Sequence, residues 1–209
     1  MIHEFLAAIA VSFGAMFPII NPIGHAPIFY SLTQDGTPDY RRRMANKTAL
    51  CVFLILLVSL LLGHAILRFF GITIDDLRIA GGLLVARTSW NMLGNASRVT
   101  PAEHAAAEDK EDISLTPMAT PILSGPGAMS LAVGLLTYGA TPPACAGYIA
   151  GFVLIGLLTW FCLRYAEVLV RLISVNGVGA LNRILGLLIL AIGVDLVVEG
   201  VKAIFFPHL

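Results

Sequence analysis

The chain is interrupted at Pro18-Ile19-Ile20-Asn21-Pro22-Ile23-Gly24, and a stretch of matching pattern, Pro121-Ile122-Leu123-Ser124-Gly125-Pro126-Gly127, follows roughly a hundred residues later. Proline removes a backbone donor and clashes with the preceding turn, while glycine relaxes the backbone, so neither stretch can form one continuous helix. Helix breaks at corresponding places in two halves of a hydrophobic chain point to the binding site of a transporter.

The composition around these breaks is that of an integral membrane protein. The chain is 57% hydrophobic and 12% charged, with a mean hydropathy of +0.86. A soluble domain of this length could not hide so much apolar surface from water. The formal net charge is zero and no basic stripe is present, so we expect no nucleic-acid partner.

Six apolar stretches are long enough to cross a bilayer core of about 30 Å, for which about 20 residues suffice. Because Glu4 stands where a signal peptide carries basic residues, we expect the first stretch to remain as a membrane helix. The predicted fold is an all-α integral membrane protein with six transmembrane helices, of which helices one and four are broken. The predicted spans are 5–33, 46–70, 76–95, 118–138, 144–170 and 180–206.

Positive residues in the connections predict the orientation, because Lys and Arg are retained on the cytoplasmic side. They cluster in the first, third and fifth connections, whereas the fourth, around Thr141-Pro142-Pro143, has none. Both termini are therefore expected outside, on the periplasmic face of the cell inner membrane. The residues in question are Arg41, Arg42, Arg43, Lys47, Arg98, Lys110, Arg164, Arg171 and Arg183.

A second motif pair recurs in the same order as the breaks, with Arg78-Ile79-Ala80-Gly81-Gly82 opening helix three and Arg183-Ile184-Leu185-Gly186-Leu187 opening helix six. Two recurring pairs at nearly equal offsets indicate a duplication. With three helices in each half, the second half enters the membrane from the opposite side, so the repeats are inverted. The predicted units are a first repeat over 1–96, a polar cytoplasmic linker over 97–117 and a second repeat over 118–209.

The breaks free backbone groups that need partners, because each unsatisfied group in hydrocarbon costs several kcal/mol. A half-helix N-terminus suits a carboxylate, and freed carbonyls suit an ammonium or a cation, so the pair suits a small zwitterion. The alternative is that proline and glycine only kink these helices for packing. The predicted substrate-binding residues are Asn21, Pro22, Gly24, Thr120, Ser124, Gly125, Pro126 and Gly127.

Ionisable residues at depth are candidates for coupling to a proton or another ion. We expect Arg87 and Asp195 to face the bundle interior as an ion pair, with Glu199 one turn beyond, since a charge within the membrane costs at least about 2.5–3.5 kcal/mol. The alternative for these residues is snorkelling or a structural ion pair. His25 directly follows the first break and titrates near neutral pH, so it could carry a proton, or it could be a hydrogen-bonded packing residue.

Two further residue classes have structural interpretations. The three cysteines, Cys51, Cys145 and Cys162, show no metal or redox spacing and are expected to be small core residues. The glycines at 81, 82 and 186 are expected to allow close helix contact between the repeats, where lipid provides no hydrophobic drive for association.

These motifs together resemble those of the MarC-type inner membrane proteins. The resemblance rests on the two breaks, on Pro27-Ile28-Phe29, on Phe70-Gly71-Ile72-Thr73-Ile74 and on the Arg78 and Arg183 motifs, which occur in the right order over nearly the whole chain. It implies a six-helix inner-membrane protein of a family that includes small neutral amino-acid transporters and was historically associated with antibiotic resistance. The family's asparagine and glycine-proline-glycine motifs correspond to Asn21, Pro22 and Gly24, and to Gly125, Pro126 and Gly127.

The leading functional hypothesis is therefore a secondary transporter or exporter of small neutral amino acids or similar solutes. No Walker A loop is present, so no ATP or other cofactor is expected, and coupling to H+ or Na+ stays open. The alternatives are a channel-like pore for small solutes or drugs and a non-transporting scaffold. An enzyme is not expected, because Ser124 has no evident histidine partner in sequence. The expected partners are the lipid bilayer, a small-molecule substrate and, in a homo-oligomer, further copies of the chain.

Overall fold

The computed structural model describes residues 1–94, 112–137, 141–172 and 175–205. Within these ranges the regular structure is helical, and no strand is present. The helices, in chain order, are α1 (Ile2–Ile20), α2 (Pro22–Thr33), α3 (Pro38–Phe70), α4 (Ile74–Leu93), α5 (Pro126–Gly134), α6 (Pro142–Arg164), α7 (Ala166–Leu172) and α8 (Val175–Phe205). A single tight turn, Leu135–Thr137, follows α5.

Local sequence signals explain where the long helices begin and end. Thr37 accepts a hydrogen bond from the Tyr40 amide at 3.2 Å, and Pro38 occupies the first helical position of α3. Thr141 and Pro142 repeat this arrangement at the start of α6. Such a cap satisfies a backbone donor that the helix leaves free, and proline has no donor to lose there. Gly71 ends α3 with a positive φ of 69°, which glycine adopts without strain.

The predicted break in the first membrane helix is present at Asn21, which separates α1 from α2. The fourth predicted helix, 118–138, differs more from expectation, because its first part is not α-helical. Ser114–Leu123 forms two wide turns, closed by backbone hydrogen bonds from Met118 to Ile113 and from Ser124 to Ala119. We call this stretch the 114–123 segment. Its backbone is extended at Thr116 and Thr120, each directly before a proline, because proline disfavours helical geometry in the residue before it.

Four helical stretches are long and apolar enough to cross a membrane, namely Ile2–Ile20, Pro38–Phe70, Pro142–Arg164 and Gly179–Phe205. The two other predicted spans correspond to α4, which carries several charges, and to the 114–123 segment with α5. The outer surface is apolar, since Leu50, Leu61 and Leu62 of α3 are all more than half exposed. Contiguous apolar surface of this kind is suited to lipid rather than water.

The buried core lies where α1, α2, α3, α6 and the 114–123 segment meet. Met16, Phe29 and Phe152 are the largest of its fully buried side chains. Glycines let α1 and α6 approach closely, because a side chain on Gly147 would meet Ala8, and one on Gly151 would meet Ser12. Residue numbers rise together along this contact, so α1 and α6 run in the same direction.

The α4 and α8 helices pack against each other in opposite directions. Gly82 lies against Gly193, Gly186 lies against Met92, and Gly200 lies against Ile79. The predicted role of Gly82 and Gly186 in close helix contact is confirmed, and Gly81 has the same role toward the second half, where it packs against Ser130 of α5. In lipid, packing of small residues is the main source of helix association.

Charged residues gather at one end of the bundle. Arg41 of α3 donates to Glu167 of α7 at 2.9 Å, and its guanidinium lies 4.9 Å from the centre of the Tyr30 ring. Lys47 pairs with Asp112, near the end of the predicted linker. Hydrogen bonds from Lys47 and from Ser114 lower the pKa of the Asp112 carboxyl to about 2. These contacts tie α2, α3, α7 and the 114–123 segment together at this end.

The predicted linker over 97–117 is described only in its last residues. Residues 95–111, with Arg98 and Lys110, lie outside the described residues. Ile113 and Ser114 are buried, so the end of the predicted linker is part of the packed bundle. The cysteines at 51, 145 and 162 are free thiols, and Cys162 is buried.

Candidate functional site

The first break is built around Asn21. Its backbone is left-handed, with φ 43° and ψ 61°, and it is the one residue other than glycine with a positive φ among those described. Asparagine tolerates this conformation better than most residues. Its backbone amide closes α1 by donating to the Phe17 carbonyl, while its side-chain Oδ1 caps α2 by accepting from the Gly24 amide at 3.0 Å. One buried asparagine therefore both ends a helix and begins the next.

The Ile20 carbonyl, which loses its helical donor at this break, finds a partner in His25, a residue that is almost fully buried. Its ring nitrogen Nδ1 lies 2.9 Å from the Ile20 oxygen and 3.0 Å from the Asn21 oxygen, so the protonated Nδ1 donates to both. In a continuous helix the Gly24 amide would donate to the Ile20 carbonyl, but here the Gly24 amide donates to Oδ1 of Asn21. The Ile20 carbonyl and the Gly24 amide are thus both satisfied within the first break. This geometry gives His25 a structural role, and its coupling role remains a prediction.

A residue that sequence reasoning missed, Asn182 of α8, completes the first break. The Nδ2 of Asn21 donates to the Oδ1 of Asn182 at 3.2 Å. Gly24 leaves the space for this pair, because a side chain there would overlap both amides. The sequence signal that could have found it is the asparagine amide directly before the Arg183 motif, at the start of a predicted membrane span.

The second break is satisfied differently. Here α5 begins with Pro126, and the preceding residue, Gly125, has no side chain that could cap the helix. The amides of Gly127 and Ala128 find no acceptor among the described residues. Gly125 is held close to the chain before it, since a Cβ at this position would lie 2.8 Å from the Pro121 oxygen. The helix N-terminus therefore keeps open N–H groups with partial positive charge.

The helix starts show which residues of the two breaks correspond. Both α2 and α5 begin with a proline, Pro22 and Pro126, so the residue that corresponds to Asn21 is Gly125 rather than Ser124. Ser124 is fully buried, and within the described part of the chain its hydroxyl has no hydrogen-bond partner. Buried polar atoms are nearly always paired, so an unpaired one at a break needs an explanation.

A cavity of about 160 Å³ lies at the second break, beside the start of α5. Ile19, near the end of α1, lines it together with the start of α5 and with α4 and α8. Of the predicted binding residues, Gly125, Pro126 and Gly127 contribute to its wall. Asn21, Pro22, Gly24, Thr120 and Ser124 are not among the described residues that line it. The complete wall is Ile19, Leu84, Val85, Thr88, Pro121, Ile122, Leu123, Gly125, Pro126, Gly127, Ala128 and Ile189.

The place of Gly127 in the cavity wall depends on its lack of a side chain. Gly127 packs directly on Val85 of α4, and a side chain at position 127 would overlap the Val85 methyl groups. Close approach of the α5 backbone to α4 is therefore possible only without a side chain here. It brings the open N-terminus of α5 beside the cavity.

The predicted ion pair between Arg87 and Asp195 is wrong. Both side chains are exposed on the outer surface of their helices, and no ion pair joins them in the described structure. The antiparallel packing explains the error. The register that sets Gly82 against Gly193 sets Asp195 beside Ala80, about 10 Å along the axis from Arg87. Glu199 is partly buried. All three remain untested as coupling residues.

Among the described residues, no cluster of His, Cys, Asp or Glu is arranged to hold a metal ion. Ser124 has no base within hydrogen-bond distance among them, so the geometry contains no activated serine at the break.

Comparison with known proteins identifies relatives over nearly the whole chain. The family model described as MarC family integral membrane protein matches residues 6–205. The UPF0056 membrane protein YhcE of Escherichia coli (strain K12) is 35% identical over 196 residues, covering 92% of this chain and 91% of the relative. YvbG of Bacillus subtilis (strain 168) is 29% identical over 209 residues, and a UPF0056 membrane protein of Pyrococcus abyssi (strain GE5 / Orsay) is 31% identical over 203. Both alignments cover 97–98% of each chain. No solved structure matches the chain.

Proposed function

The chain belongs to the MarC family of integral membrane proteins and is embedded in a membrane, and we propose that it is a secondary transporter of small neutral amino acids or similar small solutes. Substrate binds near the midplane, between the two helix breaks, and access alternates between the two faces of the membrane. The names of the relatives state no substrate, so the proposal rests on the geometry of the breaks.

The observation that carries the proposal is the cavity beside the uncapped start of α5. The open amides of Gly127 and Ala128 suit a carboxylate, because backbone N–H groups at a helix N-terminus bind anions. No charged side chain is among the described residues that line the cavity, which favours a neutral or zwitterionic solute. Its volume is below the roughly 300–1,000 Å³ typical of sites for drug-sized ligands. The cavity therefore suits a small amino acid better than a drug.

Helix directions support two inverted repeats of three spans each. In the first half, α1 runs parallel to α6 of the second half. The first element of the second half has the same relation to the first half, because the 114–123 segment with α5 runs parallel to α3. Lys47 of α3 contacts Asp112, and further along both elements Gly63 contacts Val133. The α4 and α8 helices are antiparallel, as an in-plane two-fold axis requires. Alternating access then consists of one repeat rocking against the other.

The location of the charged cluster supports an orientation with both termini in the periplasm. The first connection meets the fifth through Arg41 and Glu167, and it meets the end of the third through Lys47 and Asp112. All three connections were expected on the cytoplasmic side of the inner membrane from their positive residues. Their meeting at one end of the bundle agrees with that expectation.

Energy for uphill transport comes from a proton or sodium gradient in this proposal. His25 and Glu199 are the coupling candidates that are at least partly buried, whereas Arg87 and Asp195 are exposed. Protonation of His25 would change how its ring holds the carbonyls of Ile20 and Asn21. A proton could thereby act on the first break directly.

Uptake of radiolabelled amino acids into liposomes that contain the purified protein tests the proposal. The substrate to use is chosen by a thermal-shift screen against amino acids and antibiotics, since a ligand that binds the folded state raises its stability. A transporter gives saturable uptake that depends on the gradient. Flux that does not saturate would instead indicate a channel, and the absence of flux for every ligand that binds would indicate a scaffold.

A further inference from the structure

The hydrogen bond between Asn21 and Asn182 joins the first break to a helix of the other half, 161 residues away in the chain. Both side chains are amides, and each could in principle face its partner with either end. The Gly24 backbone amide decides the orientation, because it can only donate and therefore requires Oδ1 of Asn21. This leaves Nδ2 of Asn21 for Asn182, which must in turn present its Oδ1.

The contact is more than packing between two helices. A turn of the Asn21 amide by 180° would place Nδ2 against the Gly24 amide and Oδ1 against Oδ1 of Asn182, so both hydrogen bonds would be lost together. An Asn182 that presents Oδ1 therefore stabilises, by one further hydrogen bond, the Asn21 orientation that the Gly24 amide requires. The absent side chain of Gly24 is required for this arrangement, since any Cβ there would overlap both amides.

Among the described residues, the second break has no corresponding contact. Asn182 directly precedes Arg183, and the residue in the same place of the first half, directly before Arg78, is Leu77. Leucine cannot hold a polar group, and the corresponding helix start at Gly125 has no side chain to be held. The first break is thus closed by a bond from the other half, while the second is uncapped and adjoins the cavity.

We propose that Asn182 is the positioning residue for Asn21, and that their hydrogen bond latches the first break in the closed arrangement. The proposal rests on the proposed alternating access, in which movement of one half relative to the other must break this bond. Without the bond, α2 would separate more often from α8, and the residues beneath it would become accessible to water.

Thiol labelling measures this opening without any substrate. In a variant whose cysteines at 51, 145 and 162 are replaced by alanine, Leu185→Cys introduces one reporter thiol on α8, at a buried position about one turn beyond Asn182 that packs with Phe17 and Ile19 before the break. The rate of reaction with a maleimide then reports how often the first break opens. Asn182→Leu removes the acceptor with little change in shape, whereas Asn182→Asp keeps an acceptor oxygen in the same place.

We expect Asn182→Leu to raise the labelling rate roughly 3- to 15-fold, the change expected from one hydrogen bond between membrane helices. Asn182→Asp should stay within about 2-fold of the parent, well below the Asn182→Leu variant. The matched control is Asn46→Leu, which removes another asparagine bond between the halves, to Trp160, away from the breaks. It should leave the rate unchanged.

An unchanged rate in Asn182→Leu, or equal increases in the leucine and aspartate variants, overturns the proposal. Should Asn182→Leu fail to fold, Asn182→Ala is judged by the same comparison with Asn182→Asp. Uptake by the parent protein is measured separately. If it carries no solute although labelling responds as expected, the transport function fails while the latch stands.

Discussion

Gly82 and Gly193 face each other across the contact between α4 and α8. A Cβ on Gly82 would lie 2.6 Å from the Gly193 oxygen, and a Cβ on Gly193 would lie 2.8 Å from the Gly82 oxygen. Neither backbone can retreat without separating the two helices. This mutual fit joins the two halves of the molecule and sets the register of the helices that line the cavity.

Gly82→Ala is therefore expected to destabilise the protein by about 1–3 kcal/mol, as overpacking of a tight contact does. Thermal or denaturant unfolding in detergent measures the change. The control is Gly14→Ala on α1, where a Cβ would have no neighbour within 4 Å. Alanine has a higher helix propensity than glycine, so the Gly14→Ala variant should be as stable as the parent protein or slightly more stable. Equal stability of the two variants would contradict the packing described here.

Gly127→Ala should destabilise the start of α5, because the new methyl group overlaps Val85. The expected loss is about 1–3 kcal/mol, with reduced uptake, since Gly127 is part of the cavity wall. Val85→Ala on the other helix makes room for the methyl group. The double variant should therefore be more stable than the sum of the two single losses predicts, and a double-mutant cycle measures this coupling. Strict additivity would mean that the contact does not limit the approach of α5.

Asn21 can be tested by separating its backbone from its side chain. Asn21→Gly keeps the left-handed conformation but loses the cap, whereas Asn21→Ala loses the cap and must adopt a strained backbone. The alanine variant should be less stable than the glycine variant by about 1–2 kcal/mol. Both should lose transport, because the side chain is absent in each. A glycine variant with parental uptake would show that the Asn21 amide is not needed.

Arg41 is expected to stabilise the charged end of the bundle more than its neighbour Arg171 does. The Arg41 side chain is 14% exposed and contacts Glu167 and Tyr30. Arg171 pairs with the same Glu167 carboxylate, but its side chain is 76% exposed. Because Glu167 is itself 40% exposed, solvent screening should hold the loss in Arg41→Met to about 1–2 kcal/mol. Arg171→Met should lose less than about 0.5 kcal/mol. Unfolding of both variants checks this order, and a reversed order would rule it out.

The Asp112 carboxyl should make the stability of the protein depend on acid pH. Its pKa in the folded protein is about 2, chiefly because Lys47 donates to it, and an unfolded aspartate has a pKa of about 3.9. The stabilising contribution is therefore fully present above about pH 4 and is lost as the pH falls toward 2. Lys47→Gln should raise the pKa of Asp112 and shift this loss to higher pH. Unfolding measured from about pH 2 to 5, with Asp112→Asn as the variant that lacks the titration, tests the assignment.

Some features could be predicted because they depend on residues that are neighbours in the chain. The break at Asn21 follows from the prolines at 18 and 22, and the start of α6 follows from Thr141 and Pro142. The wide turns of the 114–123 segment were not predicted, because its apolar residues fit the helical pattern and only the packed structure shows that Thr116 and Thr120 are extended.

The errors at the site have one physical cause, which is that residues distant in sequence meet through helix packing. The Arg87–Asp195 pair assumed equal depth, and the antiparallel register separates the two charges. Asn182 was missed because its partner lies 161 residues earlier. The cavity wall likewise depends on α4 and α8, so sequence could point to Gly125 and Gly127 but not to Val85.

The sequence by itself determined that this chain enters a membrane, that it belongs to the MarC family and that two of its segments are broken. Hydropathy, proline and glycine act locally, so these properties need no tertiary contact. Only the tertiary structure decided how each break is satisfied. The first break is closed by the Asn21 cap, by His25 and by Asn182, whereas the start of α5 stays open beside a cavity. That difference arises because a freed backbone group takes whichever partner the packed helices bring to it.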